Sequence, residues 1–286
     1  MSAVVMTGAM PAFPAIQLPA SAAELGLSAA VQADVSAASF THKEWTGNDG
    51  TEDVFAVNRE PAGLSIVAYQ DADAAANAVW DYNAREDSVY MQMLTGADET
   101  WDLNVVQNAN AAQPFLNAGA TAPGYSPNPS DGWKSVTLPD SWTCQGFDFP
   151  IYANVTMPFQ SKYDPGVGCP KAPTNYNPVG LYRKTFTVSS AMTADNRRVI
   201  INFEGVESAY YVYVNGKAVG YSEDTFSPHR FDITDYLENG ENLLAVEVHK
   251  FCDGTWFEDQ DMIYDGGIFR DVYLTSRPLV QTTRIL

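Results

Sequence analysis

The chain has 286 residues, of which 45% are hydrophobic and 12% aromatic, so it can bury a sizeable core without disulfide bonds. Its formal net charge of −19 excludes nucleic acids and anionic membrane surfaces as expected partners. The spacing of the three cysteines matches no metal-binding motif. A bridge between Cys144 and Cys169 and a set of isolated thiols are both compatible with the sequence.

The amino-terminal leader is rich in Ala, Val, Met and Pro, and the first basic residue of the chain is Lys43. Its prolines interrupt any helix that would cross a membrane, so no membrane insertion is expected. Two small-residue triplets, at 20–22 and 31–33, resemble signal-peptidase sites, although the basic start of a signal peptide is missing. We interpret residues 1–43 either as the remnant of a secretory signal, which favours a secreted or cell-surface bacterial protein, or as a disordered leader.

Two further segments flank the main domain. Residues 44–88 are predicted to form an extended arm, in which the Ala-, Asp- and Asn-rich stretch 71–87 favours a short helical turn or a loop. Residues 278–286 are predicted to be a linker to a following domain. The main domain is accordingly expected over residues 89–277.

Short strand patterns recur through residues 89–277, because apolar and polar side chains alternate there in many runs. The runs are 90–96 with 100–106, 180–188, 198–204, 209–214, 218–221, 231–234, 243–249 and 268–274. Asn215-Gly216 separates two of them and is a dipeptide that favours a type I′ hairpin. The polar stretch 108–131 is predicted to be a loop. Short strands at this spacing are typical of an antiparallel β-sandwich, so the expected class is all-β.

The run from Asp253 to Asp271 mixes acids, aromatics and glycines without a helical or strand period. It is therefore predicted to be a loop between two strands, the kind of segment in which binding residues concentrate. Four carboxylates lie within it: Asp253, Glu258, Asp259 and Asp261. They repel one another unless a cation, an arginine or sugar hydroxyls neutralise them.

Two segments of the sequence resemble those of one known family. They are Glu258-Asp259-Gln260-Asp261-Met262 with Gly267-Ile268-Phe269-Arg270-Asp271-Val272, and Pro150-Ile151-Tyr152-Ala153-Asn154-Val155. Both resemble the amino-terminal domain of the large β-galactosidases of glycoside hydrolase family 2. The resemblance implies a jelly-roll antiparallel β-sandwich, galactose-binding-domain-like, with an irregular amino-terminal arm. It also implies retaining hydrolysis of terminal β-galactosides such as lactose by glutamates of a later barrel domain, so no catalytic residue is expected in this chain.

The same resemblance assigns roles to two residues. Asp261 is expected to contact galactosyl hydroxyls and to bind Na⁺ together with ligands from the missing domain; Asn154 is expected to reach into the sugar subsite. The chemistry suits both roles, since a carboxylate is a hard oxygen ligand and an amide donates and accepts hydrogen bonds at once. Mg²⁺ elsewhere in the full enzyme and a homo-oligomeric assembly are further expectations.

Three alternatives remain open at this point. A chain that is itself a glycosidase would need two carboxyl groups flanking the scissile bond. Glu258, Asp259 and Asp261 share one loop without an evident apolar pocket to raise a pKa, so the first two are interpreted as loop-shaping acceptors. A stand-alone carbohydrate-binding sandwich is the second alternative, and the amino-terminal domain of another family 2 glycosidase, such as a β-glucuronidase or β-mannosidase, is the third.

Overall fold

Two antiparallel sheets form the frame of the computed structural model, which describes residues 40–47, 54–63, 65–78, 88–160, 164–258 and 261–279. The described strands are β1 (Ala56–Val57), β2 (Met91–Met93), β3 (Thr100–Val106), β4 (Lys134–Thr137), β5 (Ile151–Ala153), β6 (Val179–Thr187), β7 (Arg198–Phe203), β8 (Val206–Glu207), β9 (Ala209–Val214), β10 (Lys217–Ser222), β11 (His229–Asp232), β12 (Glu241–His249), β13 (Met262–Tyr264), β14 (Gly267–Ile268) and β15 (Val272–Arg277). The described helices are α1 (Ala72–Asn77), α2 (Ala109–Asn117) and α3 (Ser190–Thr193). Short 3₁₀ turns lie at Glu44–Thr46, Pro129–Asp131, Ala194–Asn196, Thr234–Tyr236 and Asp253–Trp256.

The larger sheet has seven strands in the order β1-β10-β9-β12-β6-β3-β4. Its centre is the long pair β12 and β6, which is in register from Glu241 opposite Thr187 to His249 opposite Val179. β9 and β10 form a hairpin in which Asn215 and Gly216 have φ angles of +52° and +78°. These positive values are those that a type I′ turn requires, and they confirm the hairpin predicted from the dipeptide.

The smaller sheet has the order β11-β7-β15-β2 and faces the larger one across a continuous apolar core. Ile201 and Leu274 from the smaller sheet pack in one cluster with Val212, Leu244 and Val246 from the larger. The predicted all-β antiparallel sandwich is confirmed. None of the described helices is long and apolar enough to cross a membrane.

The structure corrects two sequence expectations and leaves others open. The stretch 108–131 contains helix α2, which begins after Asn108, whose side chain accepts a hydrogen bond from the backbone N–H of Ala111 at 3.0 Å. The alternating pattern over 90–106 is divided between the two sheets, because β2 pairs with β15 and β3 with β6. The leader up to residue 39 and residues 280–286 lie outside the described residues, and the predicted domain boundaries stay predictions.

Residues 44–46 of the arm pack on the outer face of the larger sheet. Further along the arm, β1 adds an edge strand to that sheet, and Glu60 pairs with Arg198 and Arg277 of the smaller sheet. Trp45 stacks on the His249 ring, with centroids 4.7 Å apart. Burial alone would raise the pKa of the Glu44 carboxyl, but hydrogen bonds from the Tyr211 hydroxyl and nearby backbone N–H groups lower it overall. The arm is thus held by a buried aromatic contact and a buried acid, while the interior between the sheets remains apolar.

Candidate functional site

A two-stranded ribbon, β5 with β13, lies outside both sheets and carries the two predicted site residues. The strands are antiparallel, with Ala153 opposite Met262 and Ile151 opposite Tyr264. Continuing this register by one residue places Asn154 opposite Asp261. The two residues are separated by more than a hundred positions in the sequence, yet they lie at the same end of one ribbon.

The ribbon has two distinct faces, because side chains alternate along each strand. The inner face packs against Phe159 and Phe251 in an apolar cluster. Its side chains are Ile151, Ala153, Met262 and Tyr264. The outer face carries Tyr152 and Ile263, which are 61% and 53% exposed, together with the exposed Asn154 and Asp261.

Tyr152 joins the two strands through a polar contact. Its hydroxyl donates a hydrogen bond to Oδ1 of Asp261 at 2.5 Å. That contact reaches diagonally across the ribbon, since Tyr152 is directly opposite Ile263 rather than Asp261. The hydrogen bond to the carboxylate raises the pKa of the Tyr152 phenol, while a hydrogen bond from the Asn154 side chain acts in the opposite direction. The Tyr152 hydroxyl is thus held at the Asp261 carboxylate.

A buried ion pair anchors the start of β5. The ammonium of Lys250 lies 2.6 Å from the Asp148 carboxylate, and the two side chains are 0% and 4% exposed. Lys250 also donates to the carbonyl of Phe149 at 3.1 Å, and the Tyr176 hydroxyl donates to Asp148. Two charges are buried at low cost only when they are paired and their remaining hydrogen-bonding groups are satisfied, and both conditions are met here.

A buried carboxylate anchors the end of β13. Oε2 of Glu207, on β8, accepts hydrogen bonds from the backbone N–H groups of Asp265 at 3.2 Å and Gly266 at 2.8 Å. Burial raises the pKa of Glu207 to about 7, although the Gly266 N–H and the charge of Lys250 partly oppose this. Gly266 has a φ of +85°, and a Cβ atom there would lie 2.4 Å from the Trp142 indole, so the turn requires glycine.

Of the other acids in the run, Glu258 is a loop-shaping acceptor. Its two carboxylate oxygens accept from the N–H and the hydroxyl of Thr225, at 2.6 and 2.7 Å. Burial raises the pKa of Glu258 despite these bonds. Although the sequence of this run shows no apolar pocket, the fold buries the Glu258 carboxyl enough to raise its pKa. Asp259 lies outside the described residues.

A second acidic cluster, which the sequence did not reveal, brings together Glu223, Cys252 and Asp253. Donor atoms of the three side chains lie within 4.8 Å of one another. Burial, followed by the charge of Asp253, raises the pKa of Glu223 to about 9. A proton retained on Glu223 allows two carboxyl groups to be buried together, and a cation would do the same.

Several smaller expectations are settled by contacts. Cys144 and Cys169 are free and exposed, so no bridge joins them. Asp271 accepts a hydrogen bond from the hydroxyl of Thr95 at 3.0 Å. The run 253–271 is not an unbroken loop, since it contains the short strands β13 and β14, of which β13 shows no strand pattern in the sequence. Tyr152 belongs to the Pro150–Val155 motif, from which no role for its side chain follows. Its position two residues before Asn154, on the same face of a strand, was the available signal.

Comparison with known proteins identifies one family. Residues 128–278 match the model of the glycosyl hydrolases family 2 sugar binding domain. A β-galactosidase of Priestia megaterium is 42% identical over 240 residues, which is 84% of this chain and 21% of that protein. A β-galactosidase of Halalkalibacterium halodurans is 36% identical over 226 residues, or 79% of this chain and 20% of that protein. The chain thus spans about a fifth of the length of these curated relatives.

Solved structures resemble the chain more distantly. A Bacteroides uniformis β-glucuronidase matches 65% of this chain and 18% of its own, with 20% sequence identity and a TM-score of 0.44. A β-glycosidase from Bacteroides vulgatus matches 65% of this chain and 20% of its own, with 25% identity and a TM-score of 0.42.

Proposed function

Because the chain belongs to glycosyl hydrolase family 2, we propose that it is the amino-terminal part of a retaining β-galactosidase that acts on terminal β-galactosides such as lactose. In this proposal the ribbon completes the galactose subsite, and a catalytic barrel domain carries out the bond cleavage. The observation that carries the proposal is the register of β5 and β13, which brings Asn154 opposite Asp261 on an exposed face.

The chemistry of the outer face suits a sugar. A carboxylate accepts hydrogen bonds from adjacent hydroxyls, and an amide both donates and accepts. Glu207, the acid whose pKa is about 7, is buried at the base of the ribbon rather than on this face. The role proposed for this domain is therefore to bind and orient the sugar, and not to carry out acid–base catalysis.

The same proposal includes a bound Na⁺ at this site, Mg²⁺ elsewhere in the enzyme and a homo-oligomeric assembly. Na⁺ takes oxygen ligands, and the outer face offers the Asp261 carboxylate, the Asn154 amide and the Tyr152 hydroxyl, so the donor set fits. A full coordination shell would need further ligands from the catalytic domain. Mg²⁺ elsewhere in the enzyme and a homo-oligomeric assembly rest on the family resemblance.

The test is Asp261→Ala in the full-length enzyme that contains this chain. We expect kcat/KM for a β-galactoside to fall about 100-fold, because one or two hydrogen bonds to a charged group are lost. The melting temperature should stay unchanged, because an exposed side chain contributes little to stability. Asp235→Ala, which removes an exposed acid from a 3₁₀ turn of the sandwich, is the matched control. Wild-type activity of Asp261→Ala would refute the role of this residue.

A substrate panel separates the proposal from other family 2 activities. Nitrophenyl β-galactoside should be cleaved far faster than the corresponding glucuronide or mannoside. Preference for either of the latter would reassign the specificity while leaving the family membership intact.

A stand-alone carbohydrate-binding module is the second candidate, favoured by the exposed aromatic rings of Tyr152 and Phe257, which are 61% and 86% exposed. It predicts that the 286-residue chain binds galactose or lactose unaided. Titration calorimetry without measurable heat at millimolar sugar would exclude it.

A further inference from the structure

We propose that Tyr152 is a positioning residue, which holds the carboxylate of Asp261 so that one oxygen is occupied and the other faces the sugar. This inference rests on the proposed function and deepens it. It concerns the ribbon alone, because Tyr152, Asn154 and Asp261 share its outer face.

The geometry of the ribbon makes this contact specific. Tyr152 is opposite Ile263, so its ring must lean towards the end of the ribbon to reach Oδ1 of Asp261, at 2.5 Å. Diagonal neighbours on an antiparallel pair are within reach of an aromatic side chain but beyond that of a short one. Among the described residues, Tyr152 is the side chain that hydrogen-bonds to Asp261.

The direction of the hydrogen bond is fixed by charge. The Tyr152 hydroxyl is the donor of this bond, because an ionised carboxylate can only accept. Asn154 lies on the same outer face, where its register position is opposite Asp261. Without the contact to Tyr152, the exposed carboxylate would sample several rotamers. The entropy lost on ordering it would then weaken sugar binding.

A tyrosine beside a sugar site has an alternative use, namely stacking of its ring on the sugar. The two roles depend on different parts of the side chain. Tyr152→Phe removes the hydroxyl and keeps the ring, so it addresses positioning alone. Tyr125→Phe is the matched control, since it removes a hydroxyl that accepts from the Trp133 indole in a different apolar cluster.

The experiment is a double-mutant cycle in the full-length enzyme with Tyr152→Phe, Asp261→Ala and the combination, measured with nitrophenyl β-galactoside. We expect Tyr152→Phe to lower kcat/KM about ten-fold, mainly through a higher KM, while Tyr125→Phe stays within about two-fold. In the Asp261→Ala background, Tyr152→Phe should change kcat/KM less than about two-fold, because the group through which it acts is gone. Melting temperatures of Tyr152→Phe and wild type should agree.

Three results would overturn the inference. If Tyr152→Phe keeps wild-type kinetics while Asp261→Ala is impaired, the positioning role is wrong and the proposed function stands. If Tyr152→Phe is equally harmful with and without Asp261, the hydroxyl contacts the sugar directly and does not act through the carboxylate. If Asp261→Ala itself has wild-type kinetics, the proposed function and the positioning role fail together.

Discussion

The sandwich and the ribbon are held together by different forces. Between the two sheets, the cluster that contains Ile201, Leu244 and Val246 is apolar, and burial of such side chains contributes on the order of 1.5–3 kcal/mol each. The ribbon has only three residues in each of its strands, and an isolated pair of short strands is marginal in water. It is therefore fastened at its base by the ion pair of Lys250 with Asp148 and by Glu207.

The comparison shows how the proposed binding face is placed on a rigid frame. Apolar packing is not directional, so it sets the distance between the sheets but does not orient a short loop. Hydrogen bonds and buried ion pairs are directional, and they fix the ends of β5 and β13. Breaking each kind of contact separately tests whether the two regions are as independent as they look.

The largest expected effect on stability comes from Lys250→Met. It leaves the Asp148 carboxylate buried without its cation, so the free energy of unfolding should fall by about 3–5 kcal/mol. Urea denaturation of the 286-residue chain measures this. The double variant Lys250→Met with Asp148→Asn should recover more than half of the loss, because Asn carries no charge and tolerates the positive φ of +49° at that position. A loss below about 1 kcal/mol in the single variant would show that the base of the ribbon does not depend on this pair.

The second effect is a pH dependence caused by Glu207. Its folded-state pKa is raised from 4.5 to about 7, so the folded state binds the proton more tightly than the unfolded state. Stability from this group is greatest below pH 4.5 and falls by about 3 kcal/mol as pH rises to about 7, after which it stays constant.

Glu207→Gln removes this titration while keeping an oxygen that accepts from Gly266. The difference in unfolding free energy, variant minus wild type, should therefore rise by about 3 kcal/mol between pH 4.5 and 7. Contributions of other titrating groups cancel in this difference. Parallel pH profiles of the two proteins would mean that Glu207 is not held in the protonated form.

The smallest effect is expected in the sandwich. Ile201→Val removes one methyl group from the fully buried core and should cost about 1 kcal/mol of unfolding free energy. In the proposed full-length β-galactosidase, KM for a galactoside should not change, because the side chain is in the apolar cluster between the sheets and not in the one beneath the ribbon. A changed KM at unchanged folding would show that the sandwich and the ribbon are coupled after all.

Sequence reasoning succeeded where the pattern is local. Period-2 alternation predicted β6, β9 and β12, and the Asn215-Gly216 dipeptide predicted the turn between β9 and β10. Both signals depend on nearby residues alone. Sequence reasoning missed helix α2, because the sequence of this helix is polar and rich in alanine. The side of α2 that is buried becomes evident only in the fold, where it packs against Trp133 and Val179. It also missed the buried Lys250, since a lysine that follows a strand looks like a surface residue until its partner a hundred residues away is known.

The amino-acid sequence by itself determined the all-β class, the hairpin turn and, through its motifs, the family, and it singled out Asn154 and Asp261 as the proposed site residues. Only the tertiary structure decided that these two residues are opposite one another, that Tyr152 bonds to Asp261, and that buried charges hold the ribbon in place. The physical reason is range: strand and turn preferences act over a few residues, whereas a cross-strand contact depends on a register that the whole folded chain sets.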